Sequence, residues 1–227
     1  MGARTSRFLR AGPCAKVRGW KSGEVDITRY FRRIGAAHGL KSEARTHNFM
    51  PLPTPITAQD HQQGEANAPI VMVQYGDFEC PYSAAATQAV KRVQAHLGDK
   101  LLYAFRPFPL FDIHPHALLA AEAGEAAAAQ GKFWEMYELL FAFQDELEAR
   151  HLAHYASHIG LDLEQFAREM RDDVHLEGIR KTIESGVASG LHGTPSFFIN
   201  GHFFDNHRGL WEVNVMLEAI EVALERG

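Results

Sequence analysis

The sequence predicts an α/β domain in which helices flank a mixed central sheet and a helical segment is inserted into the chain. Three stretches support this. A strand–helix–strand unit lies at residues 70–106, a long helical block follows at about 114–190, and two short strands with a final helix come after it. A strand–helix–strand unit makes two parallel strands, whereas two strands joined by a tight turn are antiparallel. Together they predict a mixed sheet.

The first unit has a clear boundary at each change of pattern. Residues 70–75 are apolar and rich in β-branched side chains, which suits a strand buried on both faces. After a short turn, Cys80 and Pro81 begin a helix, because proline at the first helical position is pre-organised and loses no hydrogen bond. Apolar residues at helical spacing continue to about residue 97, and residues 101–106 form the second strand.

The helical block and the C-terminal hairpin follow. Residues 117–130 are rich in alanine, and an apolar stripe that starts at Phe133 is best explained by core packing. Asp162 and Gln165 have the spacing of a capping box at the start of a short helix. The pair Asn200-Gly201 joins two short apolar runs and tolerates the two positive φ angles of a type I′ turn. A last helix is expected at about 209–225.

Charge divides the chain into two parts. Residues 1–49 contain eleven Lys and Arg against three acidic residues, a net charge of +8, and residues 50–227 contain 12 basic and 25 acidic residues, a net charge of −13. Residues 1–49 are interpreted as a disordered basic extension or as the product of a start assigned upstream of Met50, with a targeting or nucleic-acid-binding segment as a third alternative. Residues 50–68 contain three prolines and are predicted to be a linker, and 69–227 form the domain.

Composition excludes several classes of protein. Apolar residues make up 46% and charged residues 22%, typical of a soluble globular protein, and no stretch approaches the ~18 apolar residues of a membrane span. The acidic body disfavours nucleic acid as a partner. The absence of a continuous apolar segment near the start argues against a Sec signal peptide, so we expect a cytoplasmic protein, or a periplasmic one if the true start differs.

Cysteine usage points to chemistry rather than to cross-linking. The chain has two cysteines, Cys14 and Cys80, too few for a disulfide-stabilised secreted scaffold. Cys80 is placed at the start of a predicted helix, where unpaired backbone N–H groups and the positive end of the helix dipole favour a thiolate. The thiolate is the nucleophilic form. The alternative is a buried structural cysteine, which the Cys-Pro sequence at a strand-to-helix turn argues against.

A second element, Thr194-Pro195, directly precedes the hairpin. It is either an ordinary trans turn or a cis proline that presents the preceding backbone to an extended substrate. The residues alone leave both alternatives open.

Four blocks of sequence resemble the DsbA-like branch of the thioredoxin superfamily, and the similarity runs from about residue 70 to 224. The blocks are Q-Y-G-D-F-E-C-P-Y at 74–82, F-P-L at 108–110 with H-P at 114–115, Q-G-K-F-W at 130–134, and G-T-P-S-F-F-I-N-G at 193–201. The resemblance implies a thioredoxin fold with an inserted helical domain, a nucleophilic Cys80 and a cis Pro195 facing it. It also implies substrate binding at Pro81, Tyr82 and Thr194, and a disulfide-containing protein or a small thiol as the partner.

One position departs from the family pattern C-P-Y-C, because Ser83 stands where the second cysteine is expected. A dithiol enzyme resolves its mixed disulfide with the second sulfur, which Ser83 cannot do, although its hydroxyl can donate a hydrogen bond to the Cys80 thiolate. The sequence therefore predicts a monothiol oxidoreductase whose mixed disulfide is released by an external thiol such as glutathione, with no other cofactor. The alternatives are a non-redox binding module and a glutathione-using transferase or isomerase.

Histidines and acidic residues near these motifs have competing interpretations. Three histidines of one predicted helix, at 151, 154 and 158, are interpreted as solvated, and no metal site is predicted. His114 and His116 are expected to cap the following helix, with contact to the rim of the Cys80 site as the alternative. Asp77 is expected to stabilise its turn. Glu79 is either an exposed turn carboxylate or a group that acts on Cys80 by repulsion or as a proton acceptor.

Overall fold

The computed structural model of the chain describes residue 52, residues 54–204 and residues 212–226. Residues 225 and 226 are described by their backbone alone. Interpretations of residues 1–49, including Cys14, lie outside the described residues. The elements are, in chain order, β1 (His61–Gln63), β2 (Ile70–Gly76), α1 (Pro81–Leu97), β3 (Leu101–Pro107), α2 (Ala117–Ala128), α3 (Phe133–Ala142), α4 (Ala149–His158), α5 (Leu163–Arg171), α6 (Leu176–Ala188), β4 (Ser196–Ile199), β5 (His202–Phe204) and α7 (Val213–Arg226).

The strands form one mixed sheet in the order β1-β3-β2-β4-β5. β2 and β3 are parallel, in register from Ile70 opposite Leu101 to Gly76 opposite Pro107, and α1 is the crossover between them. The other three pairs are antiparallel. The predicted mixed sheet with flanking helices is confirmed, and α2 to α6 fill the chain between β3 and β4.

An aromatic cluster attaches the turn after β2 to the core. Phe78, in that turn, lies with its ring centroid 5.2 Å from that of Phe105 on β3 and 5.0 Å from that of Phe141 on α3. Tyr137 on α3 packs edge-on against both Phe78 and Phe105. Phe78 is 1% exposed. Because this ring is enclosed by the sheet and by α3, the residues on either side of it are held in place.

Part of the segment predicted to be a linker is structured. His61–Gln63 form β1, which pairs antiparallel with β3. The buried guanidinium of Arg106 holds the chain just before β1: its Nε lies 2.6 Å from Asp60 Oδ1, and its Nη1 donates to the Thr54 carbonyl at 3.0 Å. Linker composition was a poor guide here, because the polar run His-Gln-Gln has no apolar alternation from which a strand could be predicted.

The predicted local signals are largely confirmed. Asn200 and Gly201 have φ angles of 46° and 82°, as the type I′ turn requires. Asp162 caps α5 by accepting from the backbone N–H groups of Glu164 and Gln165. The reciprocal bond of a capping box is not formed, since the Asp162 backbone N–H donates to Gln130 Oε1 instead. In the part of the chain that is described, no helix combines the length and the apolarity needed to cross a membrane.

Glu122, on α2, is a buried carboxyl group at 6% exposure. Burial raises the pKa of Glu122 to about 7, and the nearby Asp173 carboxylate adds to the shift. An acid whose pKa is raised on folding binds its proton more tightly in the native state than in the unfolded chain. The free energy of unfolding therefore falls as the pH rises from the ordinary value of 4.5 to about 7, and the full cost remains above that range.

We expect Glu122→Gln, which carries no charge, to be more stable than the wild type at about pH 8, by roughly 2–3 kcal/mol. The difference should shrink towards zero at about pH 3.5 to 4, because there Glu122 is protonated in both the folded and the unfolded state. Urea unfolding at both pH values measures it. Glu135→Gln, at a half-exposed position on α3, is the matched control and should show no such trend. Equal differences at both pH values would contradict the assignment.

Candidate active site

Cys80 stands at the N-cap of α1, in the extended conformation that the position requires (φ −79°, ψ 120°), and Pro81 is the first helical residue. Its backbone N–H donates to the Asp77 carbonyl at 3.1 Å, which closes the turn, and its carbonyl accepts from Ala84, the first bond of the helix. The thiol is 3% exposed. The sulfur thus lies at the positive end of α1, as the sequence predicts.

The Cys80 thiol faces the loop before β4. Its Sγ lies 3.3 Å from the carbonyl oxygen of Thr194, and the Thr194–Pro195 peptide bond is cis. Sheet topology explains the proximity: β2 and β4 are antiparallel neighbours with Tyr75 opposite Ser196, so the end of β2 meets the start of β4. Of the two alternatives left open by the sequence, the structure has the cis proline.

Ser83 is fully buried one turn into α1. Its Oγ accepts a hydrogen bond from the Asp77 backbone N–H at 3.3 Å. Among the hydrogen bonds of the described residues, none joins this hydroxyl to Cys80 Sγ. The Ser83 side chain therefore supports the turn, and the expected bond to the sulfur is not formed in this structure.

The residues predicted to bind substrate differ in exposure. Pro81 and Tyr82 lie on the surface at the start of α1, and Tyr82 is 65% exposed. Thr194 contacts the Cys80 sulfur through its carbonyl, while its own Oγ1 is buried and has no hydrogen-bond partner among the residues that the structure describes. A nearly enclosed sulfur is thus bordered on one side by an exposed aromatic ring and on the other by backbone.

Asp77 organises the turn that leads to Cys80. This carboxylate is fully buried: Oδ1 accepts from the Glu79 N–H at 2.8 Å, and Oδ2 accepts from the Leu110 N–H at 2.8 Å and lies 2.7 Å from His114 Nδ1. The three contacts satisfy a charge that would otherwise be costly to bury. They also attach the loop after β3 to the Cys80 turn. The expected role of Asp77 in stabilising its turn is confirmed, and its carboxylate also binds the loop after β3.

His114 and His116 do not cap α2 with their side chains, so that prediction was wrong. His114 binds Asp77, as described above, and His116 binds Glu79, whose Oε2 accepts the His116 backbone N–H at 2.6 Å while Oε1 lies 3.0 Å from His116 Nδ1. The N-terminus of α2 is capped from another segment by the carboxylate next to Cys80. Glu79 is 17% exposed and paired, rather than a free turn carboxylate.

Gln144, which the sequence analysis did not single out, completes the turn. Its Nε2 donates to the carbonyl of Phe78 at 2.7 Å and to that of Cys80 at 3.0 Å. It follows α3 in the helical insertion, so only the three-dimensional fold brings it to the site. No local motif marks such a glutamine in the sequence.

Behind Cys80, a chain of buried hydroxyl groups joins α1 to the sheet. Thr87 Oγ1 donates to the Ser83 carbonyl at 2.9 Å and lies 3.2 Å from Tyr137 OH, which in turn lies 3.2 Å from Tyr103 OH. Burial raises the pKa of Tyr137 to about 12 and that of Tyr103 well above its ordinary value. Both phenols are therefore neutral at physiological pH, and the hydrogen bonds among these hydroxyl groups hold α1 against the sheet.

The three histidines of α4 show no metal centre. Throughout the described residues, no three His, Cys, Asp or Glu side chains are placed to hold a metal ion together. His151 has a carboxylate at 3.9 Å, Glu146 Oε2, and His154 and His158 are exposed.

Comparison with known proteins decides the family. The model of a family described as Thioredoxin matches residues 57–219. The chain belongs to the thioredoxin family. The solved structures that it resembles include a thioredoxin-like oxidoreductase from Silicibacter pomeroyi (TM-score 0.65, 22% identity, 74% of this chain and 94% of the other) and oxidised BdbD from Bacillus subtilis (TM-score 0.66, 20% identity, 78% and 100%). The DsbA-like thioredoxin fold inferred from the sequence is confirmed.

The chain also resembles a curated protein from Mycobacterium sp. (strain KMS) named Na(+)/H(+) antiporter NhaA 1, at 45% identity over 167 residues. The match covers 72% of this chain but only 26% of that protein, so the chain spans about a quarter of the length of this relative.

We expect Asp77→Asn to loosen the site and to destabilise the protein by about 2–4 kcal/mol, because an amide group cannot accept all three hydrogen bonds that the carboxylate accepts. The rate of any reaction at Cys80 should fall on the order of tenfold or more as the turn moves. Urea unfolding and the kinetics of Cys80 modification measure the two effects. Asp112→Asn, at an exposed position in the adjoining loop, should change neither.

Proposed function

We propose that this protein is a thiol–disulfide oxidoreductase that acts through Cys80 alone. The observation that carries the proposal is the pairing of a thiol at the N-terminus of α1 with the carbonyl of Thr194 at 3.3 Å, next to cis Pro195. The sulfur is held at the N-terminus of α1, the position at which thiol–disulfide exchange needs a nucleophile fixed by the fold. The adjoining backbone is turned towards it.

In the first step, the Cys80 thiolate attacks one sulfur of a substrate disulfide. A new S–S bond forms between Cys80 and that sulfur, the substrate S–S bond breaks, and the second substrate sulfur leaves as a thiolate. An extended substrate segment would lie against the Thr194–Pro195 loop, with Tyr82 as an exposed contact on the opposite side. Positioning the two sulfurs in line is the main contribution of such a site.

In the second step, an external thiolate attacks the substrate sulfur of the mixed disulfide and releases Cys80 as a thiolate. The electrons of the released Cys80 come from the external thiol, which ends in a new disulfide with the substrate. Glutathione is the proposed thiol, and the cytoplasm, where thiols are kept reduced, is the proposed compartment. Ser83 supplies no second sulfur, so a step that stores a disulfide within this turn is not part of the cycle.

Two other functions from the sequence analysis make different predictions. A binding module that kept the fold would bind glutathione or a peptide at Cys80 without turnover. A glutathione-using transferase or isomerase would convert an electrophile without net redox change. The antiporter activity named for the Mycobacterium relative is not carried over, since this chain covers about a quarter of that protein.

We expect Cys80→Ala to abolish glutathione-dependent reduction of hydroxyethyl disulfide, because the nucleophile is lost, while the fold remains. The change in unfolding free energy should be small, about 1 kcal/mol, the value of one weak hydrogen bond and a buried sulfur. Release of mercaptoethanol measures the activity. Cys14→Ser is the matched control and should keep it. Turnover that persists in Cys80→Ala, or that is absent from the wild type, would refute the proposal.

We expect Ser83→Cys, made together with Cys14→Ser, to form an intramolecular disulfide on mild oxidation. Positions 80 and 83 are one helical turn apart at the start of α1, which fits the ~4.4–6.8 Å between Cα atoms of bridged cysteines. Alkylation followed by mass spectrometry should show the loss of two free thiols in the monomer. Two thiols that remain free, or a dimer alone, would show that the turn cannot close a disulfide.

A further inference from the structure

The Glu79 carboxylate is the charge that directly precedes the nucleophile in the chain, and it is held by one residue. The backbone N–H of His116 donates to Oε2 at 2.6 Å, and His116 Nδ1 lies 3.0 Å from Oε1. Because a carboxylate accepts and does not donate, Nδ1 carries the hydrogen in this pair. Both oxygens of Glu79 are thereby directed to the start of α2.

This pair differs from the neighbouring one in its access to solvent. The Asp77 carboxylate is fully buried beneath His114 and accepts three hydrogen bonds, which makes it part of the framework. Glu79 and His116 retain 17% and 41% of their side-chain exposure. Because Glu79 directly precedes Cys80 in the chain, its partly exposed charge is accessible to solutes near that residue, whereas a fully buried and satisfied charge acts chiefly on the fold.

We propose that the Glu79–His116 pair selects the disulfides and thiols that react at Cys80 according to their net charge. This inference rests on the proposed thiol–disulfide exchange and names its substrate class. The carboxylate of Glu79 repels anionic reactants from the sulfur. His116 holds the carboxylate at the positive end of α2 through its backbone N–H and its Nδ1, and this arrangement admits anionic small thiols and disulfides of the glutathione type.

The pair acts on both exchange steps through the approaching sulfur compound. When Cys80 thiolate attacks glutathione disulfide, one S–S bond forms at Cys80, one breaks, and an anionic glutathione thiolate leaves. When a second glutathione thiolate attacks the glutathione sulfur of the mixed disulfide, glutathione disulfide forms and Cys80 leaves as a thiolate. An anion arrives or departs near Glu79 in each step. A unit charge within about one Debye length (~8 Å) is only partly screened, so an effect of roughly three- to tenfold is expected.

The test measures the rate of the first step in the full chain, with Cys14→Ser present throughout so that Cys80 is the sole cysteine. Three probes are used at one pH: glutathione disulfide, which is anionic, hydroxyethyl disulfide, which is neutral, and cystamine, which is cationic. The variants are Glu79→Gln, His116→Gln and the double variant. His158→Gln, at an exposed position on α4, is the matched control.

Each rate is divided by the rate with the neutral probe. We expect His116→Gln to lower the relative rate with glutathione disulfide about three- to tenfold and to raise that with cystamine, while Glu79→Gln shifts both in the opposite directions. The double variant should resemble Glu79→Gln, because His116 acts through Glu79. All shifts should shrink in about 1 M salt.

A loss that is equal for the three probes would mean that the pair merely supports the fold, and it would overturn the inference while leaving the proposed function intact. The same holds if the two single variants shift the relative rates in the same direction. A wild-type protein that reacts with none of the three disulfides would overturn the proposed function and this inference together. If His116→Gln fails to fold, Glu79→Gln alone still decides the sign of the effect.

Discussion

The fully buried carboxylate of Asp77 is the constraint on which the site depends. It bonds to the backbone of Glu79 and of Leu110 and to the ring of His114, so one side chain fixes the turn before α1 and the loop after β3. A buried carboxylate without such partners would cost several kcal/mol, and the three contacts offset that cost. The position of Cys80 at the helix start follows from this turn, whose closing bond joins Cys80 N–H to the Asp77 carbonyl.

The helical insertion takes part in building the site, because it supplies groups that the central sheet lacks. Gln144, after α3, donates hydrogen bonds to two carbonyls of the Cys80 turn. His116, before α2, binds the Glu79 carboxylate. Phe78 connects the same turn to Phe141 of α3. A shift of α2 or α3 would thus displace groups that contact the Cys80 turn.

Sequence patterns predicted the elements whose signals are local. β2, α1 and the hairpin around Asn200 have strong apolar, capping or turn signals, and Cys80 is identified by its place in them. β1 was missed because an edge strand of three polar residues has no periodicity. Gln144 and the partners of His114 and His116 were missed or wrong because they depend on contacts between segments more than 30 residues apart, which no local propensity encodes.

Ser83 shows how the site can lack its second sulfur without losing its architecture. Its hydroxyl is buried and accepts the Asp77 N–H, a backbone donor that any structure with this turn must satisfy. The serine therefore occupies a structural position in the turn, independent of the Cys80 sulfur, which bonds to Thr194. The chemistry that disappears is the internal resolution of a mixed disulfide, and nothing else in the turn depends on it. In the proposed cycle, resolution passes to a thiol from solution, and the charge of that thiol becomes relevant because the turn carries the partly exposed pair of Glu79 and His116.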